Sequence, residues 1–187
     1  MAFARSLNGH SIDNLMWNRV LTMGVVTRKI HAMTSSLRTE LQQRKPFNSL
    51  EQEATLSIAR TEAALREPIE ELLKGAGVSL TQYNVLRILR GAGPEGLTRN
   101  EIRDRLISRM PDVTRLLDRM EEAGWVSRVR EMNDRRCVAT HLTRSGRSLV
   151  DSLDVPVHEE HVRRLSHMTR TQLRTLIELL SLAREKA

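Results

Sequence analysis

The chain has 187 residues, enough for one ordinary domain with an extension or for two small ones. Aromatic residues are only 3% of it, which leaves few rings for stacking bases and weighs against single-strand and RNA-binding modules. The net charge of +7 favours polyanionic partners, and the single cysteine, Cys137, excludes an internal disulfide framework and fits a reducing, cytoplasmic setting.

Residues 1–46 are expected to form a helical extension. Met16, Val20, Met23, Val26, Ile30, Met33, Leu37 and Leu41 recur at three- and four-residue steps, which predicts an amphipathic helix over 13–43. Strong interfacial aromatics are sparse on its stripe, so packing on the body or on a partner subunit is preferred over a basic helix lying on a membrane. No apolar run is long enough to span a bilayer, and no signal peptide is read at the start. A natural start at Met23 or Met33 is left open.

The next helix opens at Ser49-Leu50-Glu51-Gln52, a capping-box pattern, and presents Ile58, Leu65, Ile69, Leu72 and Leu73. Pro68 predicts a kink or break near Arg66–Glu67, and Gly75 and Gly77 predict the end. A helix over 81–90 puts Val85, Leu86 and Leu89 inward, before a break over 91–96. Thr98-Arg99-Asn100-Glu101 is a second capping box, opening a short helix with Ile102, Leu106 and Ile107 inward. Ser108-Arg109-Met110-Pro111 reads as a turn, with Pro111 in the first turn of the following helix. That helix buries Val113, Leu116, Leu117 and Met120 and ends at Gly124. An extended stretch over 125–130, a polar loop at Asn133-Asp134-Arg135-Arg136 and an alternating stretch over 137–142 predict a hairpin. Thr143 caps a helix through Leu149 and Leu153, kinked at Pro156. Thr169-Arg170-Thr171-Gln172 opens the last helix, whose stripe is Leu173, Leu176, Ile177, Leu180 and Ala183. The fold class is therefore mainly α with a small β-hairpin.

Two short helices joined by a four-residue turn are a helix-turn-helix candidate. The second carries Thr114, Arg115, Asp118 and Arg119 opposite its apolar stripe, with Arg109 and Asp112 at its start. Such a helix fits a DNA major groove, where arginine donates two hydrogen bonds to guanine. The hairpin tip adds Arg135 and Arg136, placed to reach an adjacent minor groove. Asp134 is expected to accept a hydrogen bond from Arg136 or Arg115 and hold it.

The run from Leu80-Thr81-Gln82-Tyr83-Asn84-Val85-Leu86 to Asp112-Val113-Thr114-Arg115-Leu116-Leu117-Asp118-Arg119-Met120-Glu121 resembles the MarR (multiple antibiotic resistance) regulators. So does Asp134-Arg135-Arg136 followed by Leu142-Thr143-Arg144-Ser145-Gly146-Arg147. The resemblance covers roughly residues 49–185. It implies a winged helix-turn-helix lobe over about 80–142, within a domain of residues 47–187. It implies homodimers held by helices over 49–74 and 143–186, bound to pseudo-palindromic double-stranded DNA. It also implies repression relieved by a small molecule or oxidant, with Arg136 as the wing-tip arginine. Residues 1–46 exceed the usual family length.

Other chemistry finds less support. Cys137 next to Arg135 and Arg136 could be a redox sensor, but a small packing residue in the hairpin is preferred. His158 and His161 share a helix face while His167 falls elsewhere, so no zinc site or other cofactor is expected. There is no glycine-rich phosphate loop and no nucleophile elbow, so no enzyme is expected. Leu173, Leu176, Ile177 and Leu180 lack an obvious intrachain cover and are read as dimer interface. The sequence thus points to a sequence-specific double-stranded-DNA-binding regulator, a homodimeric repressor released by an effector. The alternative is a winged-helix architectural or protein-interaction module.

Overall fold

The computed structural model describes residues 37–108, 112–130 and 138–185. The chain divides into two compact units, residues 1–60 and 61–187.

The helix expected over 13–43 lies mostly outside the described residues. Its described end is α1 (Leu37–Glu40), which stops short of the expectation. Gln42 takes φ 52° there, with Gln42 N–H donating to Thr39 O at 3.1 Å and Gln43 N–H to Arg38 O at 2.9 Å. This is a Schellman stop without the usual glycine, which is why composition did not reveal it.

Helix α2 (Leu50–Gly75) starts at the expected cap, with Gln52 N–H donating to Ser49 Oγ at 3.2 Å. The Gln52 side chain accepts from Asn48 N–H at 2.8 Å, so the returning arm of the cap reaches one residue further than the box pattern implies. Of the kink or break expected near Arg66–Glu67, a break is absent, since α2 runs through Pro68. A proline costs a helix one hydrogen bond, but Ile69 and Leu73 just beyond it are buried in the core and hold the helix in place. Gly77, at φ 73°, ends it by another Schellman stop, with Val78 N–H donating to Leu73 O.

Helix α3 (Leu80–Ala92) begins at a capping box formed by Ser79 and Gln82, one residue earlier than expected. Val85, Leu86 and Leu89 are buried as expected, joined by Tyr83. A 3-10 turn (Gly93–Glu95) leads to β1 (Leu97–Thr98), which pairs with a later strand, so the expected hairpin is extended to three strands. Thr98 ends β1 and also caps α4 (Arg99–Arg105), its hydroxyl accepting from Glu101 N–H at 3.3 Å.

Helix α4 is shorter than its apolar pattern. Ile102 is buried and Leu106 half-buried, but Ile107, expected inward, is 87% exposed. Leu106 is already extended (ψ 137°), so Ile107 falls outside the helical period. Its N–H donates instead to Asn84 Oδ1 at 3.1 Å. Helix α5 (Val113–Glu122) is capped by Asp112, so its first turn begins at Val113, later than the start expected for it. Its stripe of Val113, Leu116, Leu117 and Met120 is buried throughout. Gly124, at φ 74°, closes it.

Strands β2 (Val126–Arg130) and β3 (Val138–Leu142) pair antiparallel from Val126↔Leu142 to Arg130↔Val138. β1 adds on the other side of β3, with Leu97 opposite Thr140, giving the order β1-β3-β2. Helix α6 (Arg144–Leu165) follows and runs through Pro156 without a break, and α7 (Arg170–Leu182) starts at the expected Thr169 capping box. One core joins the end of α2, all of α3 to α5, the base of the sheet and Val150, Leu153 and Val157 of α6.

Thr143 fastens α6 to that core. Its hydroxyl accepts from Gly146 N–H at 3.0 Å and lies 2.7 Å from Gly124 O and 3.0 Å from Trp125 O, while its own N–H donates to Trp125 O. Gly146 passes so close to Trp125 that an added Cβ would overlap the Trp125 carbonyl oxygen. Gly146→Ala gains helix propensity of about 1 kcal/mol, yet the displaced backbone is expected to cost more, for a net loss of roughly 1–3 kcal/mol. Urea unfolding checks this, and an unchanged or raised midpoint would contradict it.

Candidate nucleic-acid interface

Four buried apolar residues press α5 onto the core, so its other side must face outward. Thr114, Arg115 and Arg119 stand on that side and are exposed. Asp112 accepts from Arg115 N–H at 3.0 Å as the helix cap, and its other oxygen lies 3.7 Å from Arg115 Nε. The Arg115 side chain is nevertheless 83% exposed, so this pairing constrains it little. Arg119 Nε donates to Arg115 O at 3.2 Å, which lays the guanidinium along the helix.

Asp118, expected on the same outer face, turns toward the sheet. Arg128 on β2 meets it at 2.7 Å through Nη2, and the same nitrogen lies 2.6 Å from Glu121 Oε2. Arg128 Nε donates to Glu121 Oε2 at 2.8 Å, and Arg128 N–H to Glu121 Oε1 at 2.9 Å. One arginine thus ties two turns of α5 to the first strand of the wing. The guanidinium and the backbone donor hold the Glu121 carboxyl below its ordinary range, and the two carboxylates hold Arg128 above its own.

Arg99 is a neighbour that sequence reasoning passed over, because it sits inside the Thr98 capping box. From the start of α4 it donates through Nη1 to Thr114 Oγ1 at 3.4 Å. An open hollow of about 450 Å³ lies here, lined by Arg99, Asn100, Thr114, Leu117, Arg128 and Thr140 among others. Arg128 was missed for a different reason, since nothing local to 126–130 signals a partner on α5.

Arg109 and the wing residues Asp134, Arg135, Arg136 and Cys137 lie outside the described residues, as does the expected Asp134–arginine bond. Residues 131–137 connect the Arg130↔Val138 pair that ends the hairpin. On α7, Leu173, Leu176 and Leu180 are half-buried and Ile177 is 65% exposed. No residue of that helix is buried.

A helix-turn-helix followed by a β-hairpin, with the second helix exposing threonine and arginine, is a winged helix-turn-helix. The family model "MarR family" matches residues 78–138. An uncharacterized HTH-type transcriptional regulator of Bacillus subtilis, YpoP, is 31% identical over 117 residues, covering 63% of this chain and 81% of that protein. The crystal structure of a MarR transcription factor from Planctomyces limnophilus is 41% identical with TM-score 0.56, covering 73% of this chain and 99% of that one. The fold is also that of a mutant Escherichia coli MarR crystallised with operator DNA, at TM-score 0.62 and 23% identity, covering 81% of this chain and 100% of that one. The chain belongs to the MarR family and is a winged-helix, DNA-binding transcriptional regulator. Its relatives are transcriptional regulators rather than enzymes, and among the described residues no helix is long and apolar enough to cross a membrane.

The depressed Glu121 carboxyl has a consequence for stability. A carboxylate whose folded pKa is lowered stabilises the fold above its unfolded pKa of about 4.3, and that stabilisation disappears as pH falls through the lower folded value. The stability gap between wild type and Glu121→Gln should therefore be full at pH 7 and shrink below about pH 4. Urea midpoints for both proteins at the two ends of that range measure it. A gap that widens in acid would show the sign to be wrong.

Proposed function

We propose that two copies of this chain pair through α7 and the helices flanking the lobe, and that the dimer represses transcription from a pseudo-palindromic operator. The observation that carries this reading is the division of α5. One face is locked into the core and to β2, and the other offers Thr114, Arg115 and Arg119 to a groove. In this reading Arg109 and Asp112 belong to the same recognition surface, and Asp134, Arg135 and Arg136 belong to the wing. Two lobes would bind half-sites about one helical turn apart. The operator complex of the similarly folded Escherichia coli protein supports this placement.

The pairing is supported by the exposed apolar residues Ile177, Leu179 and Leu182, continuous with half-buried Leu173, Leu176 and Leu180. Release by a small-molecule effector belongs to the same reading. The hollow beside Thr114 gives such a ligand room next to Arg99, where it would compete with groove contacts.

Fluorescence anisotropy against the chain's own upstream DNA and a scrambled duplex, over a salt series, tests the reading. Specific binding should exceed non-specific by ~10³-fold or more at physiological salt. Arg136→Ala should abolish most of that preference, and Arg115→Ala should cost about 1–3 kcal/mol and relax specificity at one position. Equal, steeply salt-dependent binding to both duplexes would instead favour an architectural module.

Leu176→Asp and Leu180→Asp should each yield a folded monomer with much weaker operator binding. Light scattering that still finds dimers would remove α7 from the interface.

A further inference from the structure

Arg90, Arg128, Arg163 and Arg164 each meet a carboxylate at 2.9 Å or less. Arg99 is placed differently. The carboxylate nearest to it in sequence, Glu101, is turned back onto Thr98, accepting from its N–H at 2.8 Å and from its hydroxyl at 2.7 Å. What Arg99 meets is a hydroxyl. From the first residue of α4 its Nη1 donates to Thr114 Oγ1 at 3.4 Å, on the exposed face of α5. Both side chains border the open hollow beside that helix, so the hydroxyl stays accessible from outside.

A threonine hydroxyl carries one proton and two lone pairs, whereas a guanidinium offers donors only. With a lone pair given to Arg99, the Thr114 proton has to point away from the arginine. A helical threonine otherwise divides between two rotamers. The Arg99 bond selects one of them, and its positive charge polarises the O–H toward donation. An unconstrained threonine serves either donors or acceptors on a base edge. One held in this way serves acceptors: guanine O6 or N7, adenine N7 or thymine O4. Cytosine presents only its amino donor in the major groove, so it is the base this arrangement refuses.

We propose that Arg99 is a positioning residue for base reading: it fixes Thr114 as a hydrogen-bond donor, so the base opposite Thr114 must present an acceptor. The inference rests on the recognition-helix reading above. It adds to that reading a residue from the first helix of the helix-turn-helix and the chemistry of one position in the DNA site.

Two measurements on the full chain test this. Duplexes enriched from a random pool by the wild type define the base position whose preference Thr114→Val removes. There the wild type should disfavour cytosine by about three- to ten-fold, the worth of one net hydrogen bond. Arg99→Gln, whose amide can accept as well as donate, should let the hydroxyl reverse and bring cytosine level with the other bases. Arg99→Lys, a donor without an acceptor, should keep the discrimination. In a Thr114→Val background, Arg99→Gln should leave base preference unchanged, because its effect runs through the hydroxyl. The second measurement needs no DNA. Three-bond couplings to the Thr114 methyl report its χ1, which should be single in the wild type and averaged in Arg99→Ala.

Cytosine refused as strongly by Arg99→Gln as by the wild type would overturn the proposal. So would a loss equal for every sequence with a salt slope lower by about one, which is the mark of a phosphate contact alone. Enrichment of no sequence by the wild type would overturn the recognition reading instead. Averaged couplings in Arg99→Ala would then still support the Arg99–Thr114 contact, and a single χ1 there would refute it.

Discussion

Helix α5 has to satisfy two environments at once, and the architecture of the lobe follows from that constraint. Val113, Leu116, Leu117 and Met120 are buried beneath it, and together they fix its rotation about its own axis. Turned by one residue, the helix would bring arginine into the core and leave leucine in water. Burial of this kind is costly to reverse, so the outward position of Thr114, Arg115 and Arg119 is set by residues that never touch a ligand.

Electrostatics then refines what packing has set. The chain is basic overall, but several of its acids are committed to particular arginines. Asp118 and Glu121 hold Arg128, Asp151 and Asp154 hold Arg90, and Glu160 holds Arg163 and Arg164. The first set joins α5 to β2 and the second joins α3 to α6. Each is a multi-bond contact rather than a single exposed pair, which is the arrangement in which an ion pair specifies geometry. Arg115 by contrast keeps only a long contact to Asp112 and remains open to solvent.

Helix boundaries show the same division between local chemistry and packing. Ser79, Thr98, Asp112, Thr143 and Thr169 each start a helix by accepting a backbone N–H. Pro68 and Pro156 mark where a local rule is overruled, because buried neighbours on α2 and α6 keep each helix continuous through a residue that would interrupt it in isolation.

The sequence alone determined the order of elements, most of the caps, the buried stripe of α5 and the residues opposite it, because these depend on contacts within one or two turns of chain. It also carried the family resemblance, through motifs of the same local kind. The tertiary structure decided what required distant partners. Arg90 meets acids 61 and 64 residues away, and Arg99 reaches Thr114 across a turn. Asp118 turned from the outer face to β2, and Ile107 left the core once α4 ended a residue before the cap at Leu106. The two-residue strand β1 has too little pattern to read, and it exists because β3 offers it a free edge. Periodicity reports which side of an element is apolar, and only the assembled lobe reports which charge finds which partner.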